Sequence, residues 1–281
     1  MKRVLLIVHP TRPAAAKFAN DLSSRFVAQG YEILSNYPAL IDSARAIDEV
    51  HNSDWAIVLG GDGTILRGAE IALDLNIPLL GINLGHVGFM AEVDSFTFDD
   101  VAEAIIKKDY VLDQRMLLSF AVKRDNAVIE NGWSLNEVSI ERKSTTMLEL
   151  FVQIDQRPLS RWGCDGIICA TPTGSTAYAF SAGGPVLWPE IDALVLLPIS
   201  AHALFSRPMV VSPTSEIIVD IESREALLSS DSLRKFKIQQ GDRVLITRDS
   251  TVIKLSHIKP TLFTDRLVAK FKLPVEGWRG E

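Results

Sequence analysis

Trp55-Ala56-Ile57-Val58-Leu59-Gly60-Gly61-Asp62-Gly63-Thr64 decides the fold of the first part of the chain. Five consecutive apolar residues without alternation suit a strand buried on both faces. The glycines that follow suit a sharp turn, and residues 65–75 then carry apolar side chains at helical spacing. Outward from this unit the same alternation continues. Residues 4–8 read as a buried first strand, 14–29 as a helix, 77–82 as a third strand, and 99–108 as a helix with Thr97 as its N-cap. Strands alternating with helices imply a parallel sheet covered by helices.

From about Val111 the texture changes to β-rich segments at 117–122, 133–140, 148–154, 216–221 and 243–247, without long helices. A mostly antiparallel sandwich is expected there. The tail at 264–272 reads as an amphipathic helix. The expected fold class is therefore α/β plus all-β. Its expected organisation is an α/β domain over 1–112, a β-sandwich domain over 113–260, and a tail over 261–281 that packs back on the first domain.

Composition narrows the function classes. The 281 residues are 47% hydrophobic and 23% charged, close to globular averages. No apolar run approaches the roughly 20 residues needed to cross a bilayer. Met1-Lys2-Arg3 precedes only a short apolar run, so no leader peptide is read there. The formal charge of −6 argues against nucleic-acid binding, which needs clustered Lys and Arg. Anionic ligands must then be held by backbone amides, helix N-termini, a few placed cations or a metal ion. Cys164 and Cys169 are the only cysteines, and their five-residue offset on one extended segment would turn them to opposite faces. No disulfide and a cytoplasmic location are expected.

The glycine-rich turn lies where ligands bind in parallel α/β sheets, at a strand's carboxyl end. Its glycines allow close backbone approach, and the next helix offers unpaired amides to phosphate. Asp62 is the one side chain in the turn able to accept a proton or hold a metal. A carboxylate hydrogen-bonded to a nucleophilic hydroxyl, with Mg²⁺ carried on a phosphoryl donor, is a sufficient minimal design for phosphoryl transfer. The bland alternative is a tight turn in which Asp62 caps the helix. No Gly-x-x-x-x-Gly-Lys-Ser/Thr occurs, and the first strand runs into His9-Pro10-Thr11-Arg12-Pro13 instead of a dinucleotide glycine motif.

Hydroxyls and glycines concentrate a second time, in Asp165-Gly166-Ile167-Ile168-Cys169-Ala170-Thr171-Pro172-Thr173-Gly174-Ser175-Thr176-Ala177-Tyr178, with Ser181 and Gly183-Gly184-Pro185 following. A strand entering a Pro-Thr-Gly turn and a short helix suits an adenosine edge and its ribose, with Tyr178 packing on a base or sugar. A Ser/Thr-rich turn that merely caps a helix is the plain alternative.

Gly60-Gly61-Asp62-Gly63-Thr64, Asn83-Leu84-Gly85-His86-Val87-Gly88-Phe89, Asn136-Glu137 and Asp165-Gly166 through Tyr178 together resemble the NAD kinase family. Ala201-His202-Ala203-Leu204-Phe205-Ser206-Arg207-Pro208 and Phe263-Thr264-Asp265-Arg266-Leu267 resemble its actinobacterial-type members. The resemblance implies a Rossmann-like N-terminal domain, a β-sandwich C-terminal domain and transfer of a phosphoryl group from ATP or polyphosphate to the 2′-hydroxyl of NAD's adenosine ribose. It implies that Asp62 accepts that hydroxyl's proton and that Gly63 borders the NAD site. Arg67, one helical turn on, is placed to meet phosphate. Asn136 and Glu137 match a pair that contacts adenine and ribose. Thr173, Thr176, Ala177, Tyr178 and Ser181 match the adenosine-side wall. Asp165 matches an aspartate that reaches NAD bound largely by a neighbouring subunit, so a homodimer or homotetramer is implied. The divalent metal arrives with the donor phosphates, and no residue is assigned as a resident metal ligand.

The chain departs from the family pattern at Ala201, where proline is frequent, and at Asp231-Ser232-Leu233, where Asp-Gly-Gln or Asp-Gly-Arg is common. The Asp231 loop is left out of the expected site for that reason. His202 and His86 read as structural or supporting residues, Cys164 and Cys169 as buried small hydrophobes, Trp133, Trp162 and Trp188 as core or interface residues, and Lys107-Lys108 as a solvated helix end. Two other functions compete. A lipid kinase or phosphofructokinase relative would share the Gly-Gly-Asp-Gly turn but lack the Asn-Glu and Thr-Pro-Thr-Gly-Ser-Thr-Ala-Tyr elements. A non-catalytic NAD sensor would have no need of Asp62.

Overall fold

The computed structural model describes residues 2–35, 53–84, 88–92, 96–223 and 225–275. The chain divides into two compact units, Met1–Gln114 with Ile253–Glu281, and Arg115–Val252.

The first unit runs β1 (Arg3–Val8), α1 (Pro13–Val27), β2 (Glu32–Ser35), β3 (Trp55–Leu59), α2 (Asp62–Asp74), β4 (Leu79–Ile82) and α3 (Phe98–Lys107). Its strands are parallel in the order β2-β1-β3-β4, and Leu255 and Ser256 of the long β16 (Arg243–His257) lie beside Leu79 and Leu80 of β4. One face buries Val4, Leu6, Ile57 and Leu59 beneath α1 and α3. On the other face α2 packs so closely that a side chain at Gly68 would collide with Val58. Cover on both sides is why β1 and β3 are apolar without alternation.

Local chemistry sets the boundaries. Pro13 opens α1, where its missing N–H costs no helical bond, and Gly30 at φ +78 ends the turn after it. Thr97 caps α3 in a reciprocal box: its hydroxyl accepts from Asp100 N at 3.2 Å while its N–H donates to the Asp100 carboxylate at 2.8 Å. Strand β2 is not anticipated by the sequence pattern. The helix expected at 65–75 begins three residues earlier, with Gly61 as N-cap and Asp62 at its first position. The aspartate therefore belongs to the helix's first turn rather than to a free loop.

The second unit is antiparallel. β5 (Val111–Arg124) leads into it, followed by β6 (Ala127–Ser134), β7 (Glu137–Arg142), β8 (Leu148–Ile154), β9 (Arg157–Cys164), β10 (Gly166–Ala170), β11 (Leu194–Ile199), β12 (Met209–Val211), β13 (Ile217–Ile221), β14 (Glu225–Ser230), β15 (Arg234–Gln239) and the first part of β16. One sheet runs β12-β11-β10-β7-β14-β15; the facing strands include β5, β16, β13, β8 and β9. Leu118, Phe120, Leu150, Val152 and Ile217 meet Val138, Ile140, Ile167 and Leu228 in a shared core, as a β-sandwich requires.

The stretch 133–140, expected as one strand, is two. It breaks at Leu135 and Asn136, whose N–H groups turn to the carboxylate of Asp231 instead of a sheet ladder. Cys164 and Cys169 lie on successive strands and are free thiols, both facing the core rather than opposite sides of one segment. Among the described residues no helix is long and apolar enough to cross a membrane.

Candidate functional site

In the first unit the order β2-β1-β3-β4 has its switch point between β1 and β3, and the carboxyl ends of strands at such a point are where parallel α/β sheets usually bind ligands. Asp62 follows β3 at that point. His9 N donates to Leu59 O at 3.0 Å and Gly60 N to Ile82 O at 2.9 Å, so the turn is pinned to its neighbours on both sides. The Asp62 carboxylate does not cap its own helix. Oδ2 accepts from Phe89 N at 3.0 Å and Oδ1 from Met90 N at 3.3 Å. A Cβ added at Gly63 would meet nothing within 4 Å, so the backbone there is open to close approach, and Arg67 is exposed one turn along α2. His86 lies outside the described residues.

In the second unit Asn136 and Glu137 sit where β6 and β7 are interrupted. Asp231, at φ +52, accepts from the N–H groups of Leu135 (2.9 Å), Asn136 (2.7 Å) and Glu137 (3.3 Å), and from the Arg234 guanidinium (3.3 Å). The hydroxyl-rich turn is stitched to the same break. Thr171 N donates to Asn136 O at 2.8 Å, Thr171 Oγ1 donates to Leu135 O at 2.5 Å, and Gly174 N donates back to Thr171 Oγ1 at 3.1 Å. A Cβ at Gly174 would fall 2.7 Å from Cα of Asn136, so only glycine permits this approach. A 3-10 turn (Thr173–Thr176) and the short α4 (Tyr178–Ser181) follow.

These contacts bring Asn136, Glu137, Thr173, Tyr178 and Asp165 into one neighbourhood. Glu137 is buried and accepts a hydrogen bond from the backbone of Tyr178; burial, with Asp231 and Glu141 adding repulsion, pushes its pKa up to about 8. Among the described residues its Oε2 has no hydrogen-bond partner. The Tyr178 hydroxyl donates to Glu141 at 3.1 Å, and burial together with the carboxylates of Glu141, Glu137 and Asp165 raises it to about 12. Buried Arg115 donates to Thr173 Oγ1 at 3.3 Å. Asp165 pairs with Arg142 on the adjoining strand at 2.8 Å. Thr176 and Ala177 are half-buried on the turn, whereas Ser181 is exposed and its hydroxyl bonds back to Ala177 O at 3.5 Å.

Two contributors were not singled out from sequence. Glu141 stands four residues beyond Glu137 on β7, and that even spacing on a strand was the available signal. Asp231, outside the expected site because its neighbours depart from the family pattern, shapes the 135–137 backbone with its side chain. His202 is exposed and is tied to Gly163 through its backbone N–H at 2.8 Å. Trp162 is buried in the core, Trp133 stacks under Arg234 at 4.2 Å, and Trp188 is exposed. Among the described residues no three His, Cys, Asp or Glu side chains form a metal cage.

The fold is that of the yeast NADH kinase complexed with NADH, which is 23% identical, with a TM-score of 0.85 over 99% of this chain and 89% of that one. It also matches an NAD kinase from Archaeoglobus fulgidus in complex with ATP, 26% identical with a TM-score of 0.73 over 97% and 99% of the two chains. The class so defined is a phosphotransferase. Family models of the ATP-NAD kinase N-terminal and C-terminal domains match residues 4–110 and 135–258. The chain is 42% identical to the NAD kinase of Thermobifida fusca, covering 99% of this chain and 92% of that protein. It is 47% identical to the NAD kinase of Rhodococcus erythropolis over 99% and 96%, and 42% identical to that of Mycobacterium tuberculosis over 100% and 99%. The chain belongs to the NAD kinase family.

Proposed function

We propose that the chain phosphorylates the 2′-hydroxyl of the adenosine ribose of NAD, giving NADP, with ATP or inorganic polyphosphate as donor. Family membership supplies the reaction. The observation that carries the chemistry is the Asp62 carboxylate, which stands at the switch point of the parallel sheet and is oriented by two backbone N–H groups. Asp62 takes the proton of the 2′-hydroxyl as the ribose oxygen bonds to the terminal phosphorus; the bond from that phosphorus to the donor's bridging oxygen breaks, and ADP or a shortened polyphosphate leaves.

The remaining roles follow from side-chain chemistry. Gly63 admits the ligand close to the backbone, and Arg67 meets phosphate charge. Asn136 reads the adenine edge, and Glu137 bonds the ribose hydroxyls. Thr173, Thr176, Ala177, Tyr178 and Ser181 form the adenosine-side wall. Asp165 serves NAD bound largely by a neighbouring subunit in a homodimer or homotetramer. A single carboxylate with free lone pairs suits Mg²⁺ held mainly by donor phosphates better than a resident ion, and such an ion supplies neutralisation of the charge on the transferring group. The proposed location is the cytoplasm.

The Asn136-Glu137 and Thr171–Tyr178 elements, both built into one cluster, favour this reading over a lipid kinase, and the oriented Asp62 favours it over a sensor. Purified protein incubated with NAD, Mg²⁺ and either donor, coupled to an NADP-specific dehydrogenase, is expected to form product that depends on Asp62. NAD binding without product from either donor would replace this reading with the sensor. A monomer with full activity would remove Asp165 from its subunit-bridging role.

A further inference from the structure

The tail helix α5 (Phe263–Phe271) packs against the segment that holds Asp62. The ring of Phe89 lies 5.9 Å from that of Phe263 and 5.7 Å from that of Phe271. Between these two aromatic contacts Arg266 is buried, 4% exposed, with its guanidinium turned into the protein. It donates to the carbonyl oxygens of Phe89, at 3.4 Å, and of Ala91. Its other terminal nitrogen lies 3.3 Å from Nδ1 of His257, which in turn lies 3.0 Å from Glu92 Oε1. Glu92 N donates to Gly81 O at 2.8 Å, so the segment is also fastened to β4.

One peptide group connects the tail to the carboxylate. The carbonyl of Phe89 receives Arg266, and the N–H of the same peptide, on Met90, donates to Asp62 Oδ1. A cation on the oxygen side of a peptide polarises it and strengthens the N–H as a donor, and a buried site weakens the effect little. The preceding N–H, on Phe89, takes the other carboxylate oxygen. Arg266 thus grips the 89–91 backbone from behind, while the donors in front point at Asp62.

We infer that the C-terminal helix is a positioning element for Asp62, and that Arg266 acts as its positioning residue through the Phe89–Met90 peptide. This rests on the assignment of Asp62 as acceptor of the hydroxyl proton. A burial of this kind is costly for an arginine that served only to cover an apolar surface, since an unpaired or weakly paired guanidinium in the interior is strongly destabilising. Its pairing with carbonyls that belong to the Asp62 cradle gives the burial a function.

The test compares the full-length protein with Arg266→Met, Arg266→Lys and their combinations with Asp62→Asn. Arg266→Met is expected to lower kcat about 10- to 100-fold while NAD affinity, read by calorimetry, stays within about threefold. Arg266→Lys, which keeps a cation able to reach one carbonyl, is expected to recover part of that loss and remains the informative variant if Arg266→Met does not fold. In the Asp62→Asn background the Arg266 change is expected to have almost no further effect on the residual rate. Equal losses in both backgrounds, or an unchanged kcat in a variant that is merely less stable, would overturn the inference. Lack of NAD phosphorylation by the unaltered protein would instead overturn the proposed function itself.

Discussion

A Cβ placed on Gly88 would fall 2.9 Å from Cγ of Asp62 and 3.0 Å from its Oδ2: the carboxylate rests directly on the backbone at residue 88. Asp62 is held at the first position of α2 and by the N–H groups of Phe89 and Met90, so it cannot yield without losing its orientation. Gly88→Ala is therefore expected to lower kcat about 100-fold, the scale of a displacement near 1 Å at a reacting group. Thermal unfolding should shift less than for a core substitution, because the nearest atoms the added methyl meets all belong to the half-buried Asp62 side chain. Steady-state kinetics beside a melting curve checks this, and a normal rate would mean that the carboxylate works from another position.

Asp62→Asn separates orientation from chemistry. The amide keeps the size of the carboxylate but offers one acceptor oxygen to two N–H groups that now use both carboxylate oxygens. Loss of the proton acceptor is expected to reduce turnover about 1000-fold, within the usual range for removal of a general base. NAD affinity should remain within about tenfold. A matching loss of affinity would make Asp62 a binding residue.

The regular elements were legible in the sequence where one face or both are buried by close neighbours. The run 55–59 matches β3, the run 148–154 matches β8, and Thr97 caps α3, because each depends on burial periodicity or on contacts a few residues away. What escaped depends on distant residues. The four residues of β2 form a strand only because β1 lies alongside. The interruption at Leu135 coincides with a change of parity in the alternation, apolar at 133 and 135 and then at 138 and 140, but its cause is remote: the carboxylate that captures the Leu135 N–H comes from Asp231, 96 positions away. Arg266 carried no local signal either: on an amphipathic helix an arginine reads as solvated, and its burial rests on partners remote in sequence or on another element, the carbonyls of Phe89 and Ala91 among them. The proposed site residues rest on family resemblance more than on spacing.

Asp231 is expected to be a large contributor to stability in the second unit. Asp231→Ala leaves the N–H groups of Leu135, Asn136 and Glu137 without their acceptor in a buried place, at about 1–3 kcal/mol for each group that finds no substitute. Relaxation and water entry reduce the sum, so a loss of about 3 kcal/mol in chemical denaturation is expected. Because the same backbone presents Asn136 and Glu137, NAD affinity should fall as well, while Asp231→Asn should lie between the two. A change below about 0.5 kcal/mol would show that the interruption holds without this side chain.

Glu137 makes the last prediction, and its sign follows from where its proton is held. Burial, then Asp231 and Glu141, raise its pKa from 4.5 to about 8, so between those values the folded chain keeps a proton that the unfolded chain has released. Stability therefore falls as pH rises through that window and is independent of this group above it. Glu137→Gln removes the titration while keeping the shape and a hydrogen-bond donor for the buried position. The variant is expected to gain on the unaltered protein steadily from about pH 5 to about pH 8, reaching on the order of 2–4 kcal/mol, and to hold that lead at higher pH. Asp231, whose carboxyl burial also raises, titrates in both proteins and contributes the same direction of slope to each. Denaturation curves at a series of pH values measure the difference, and a constant difference across the window would mean that Glu137 is already ionised in the folded chain.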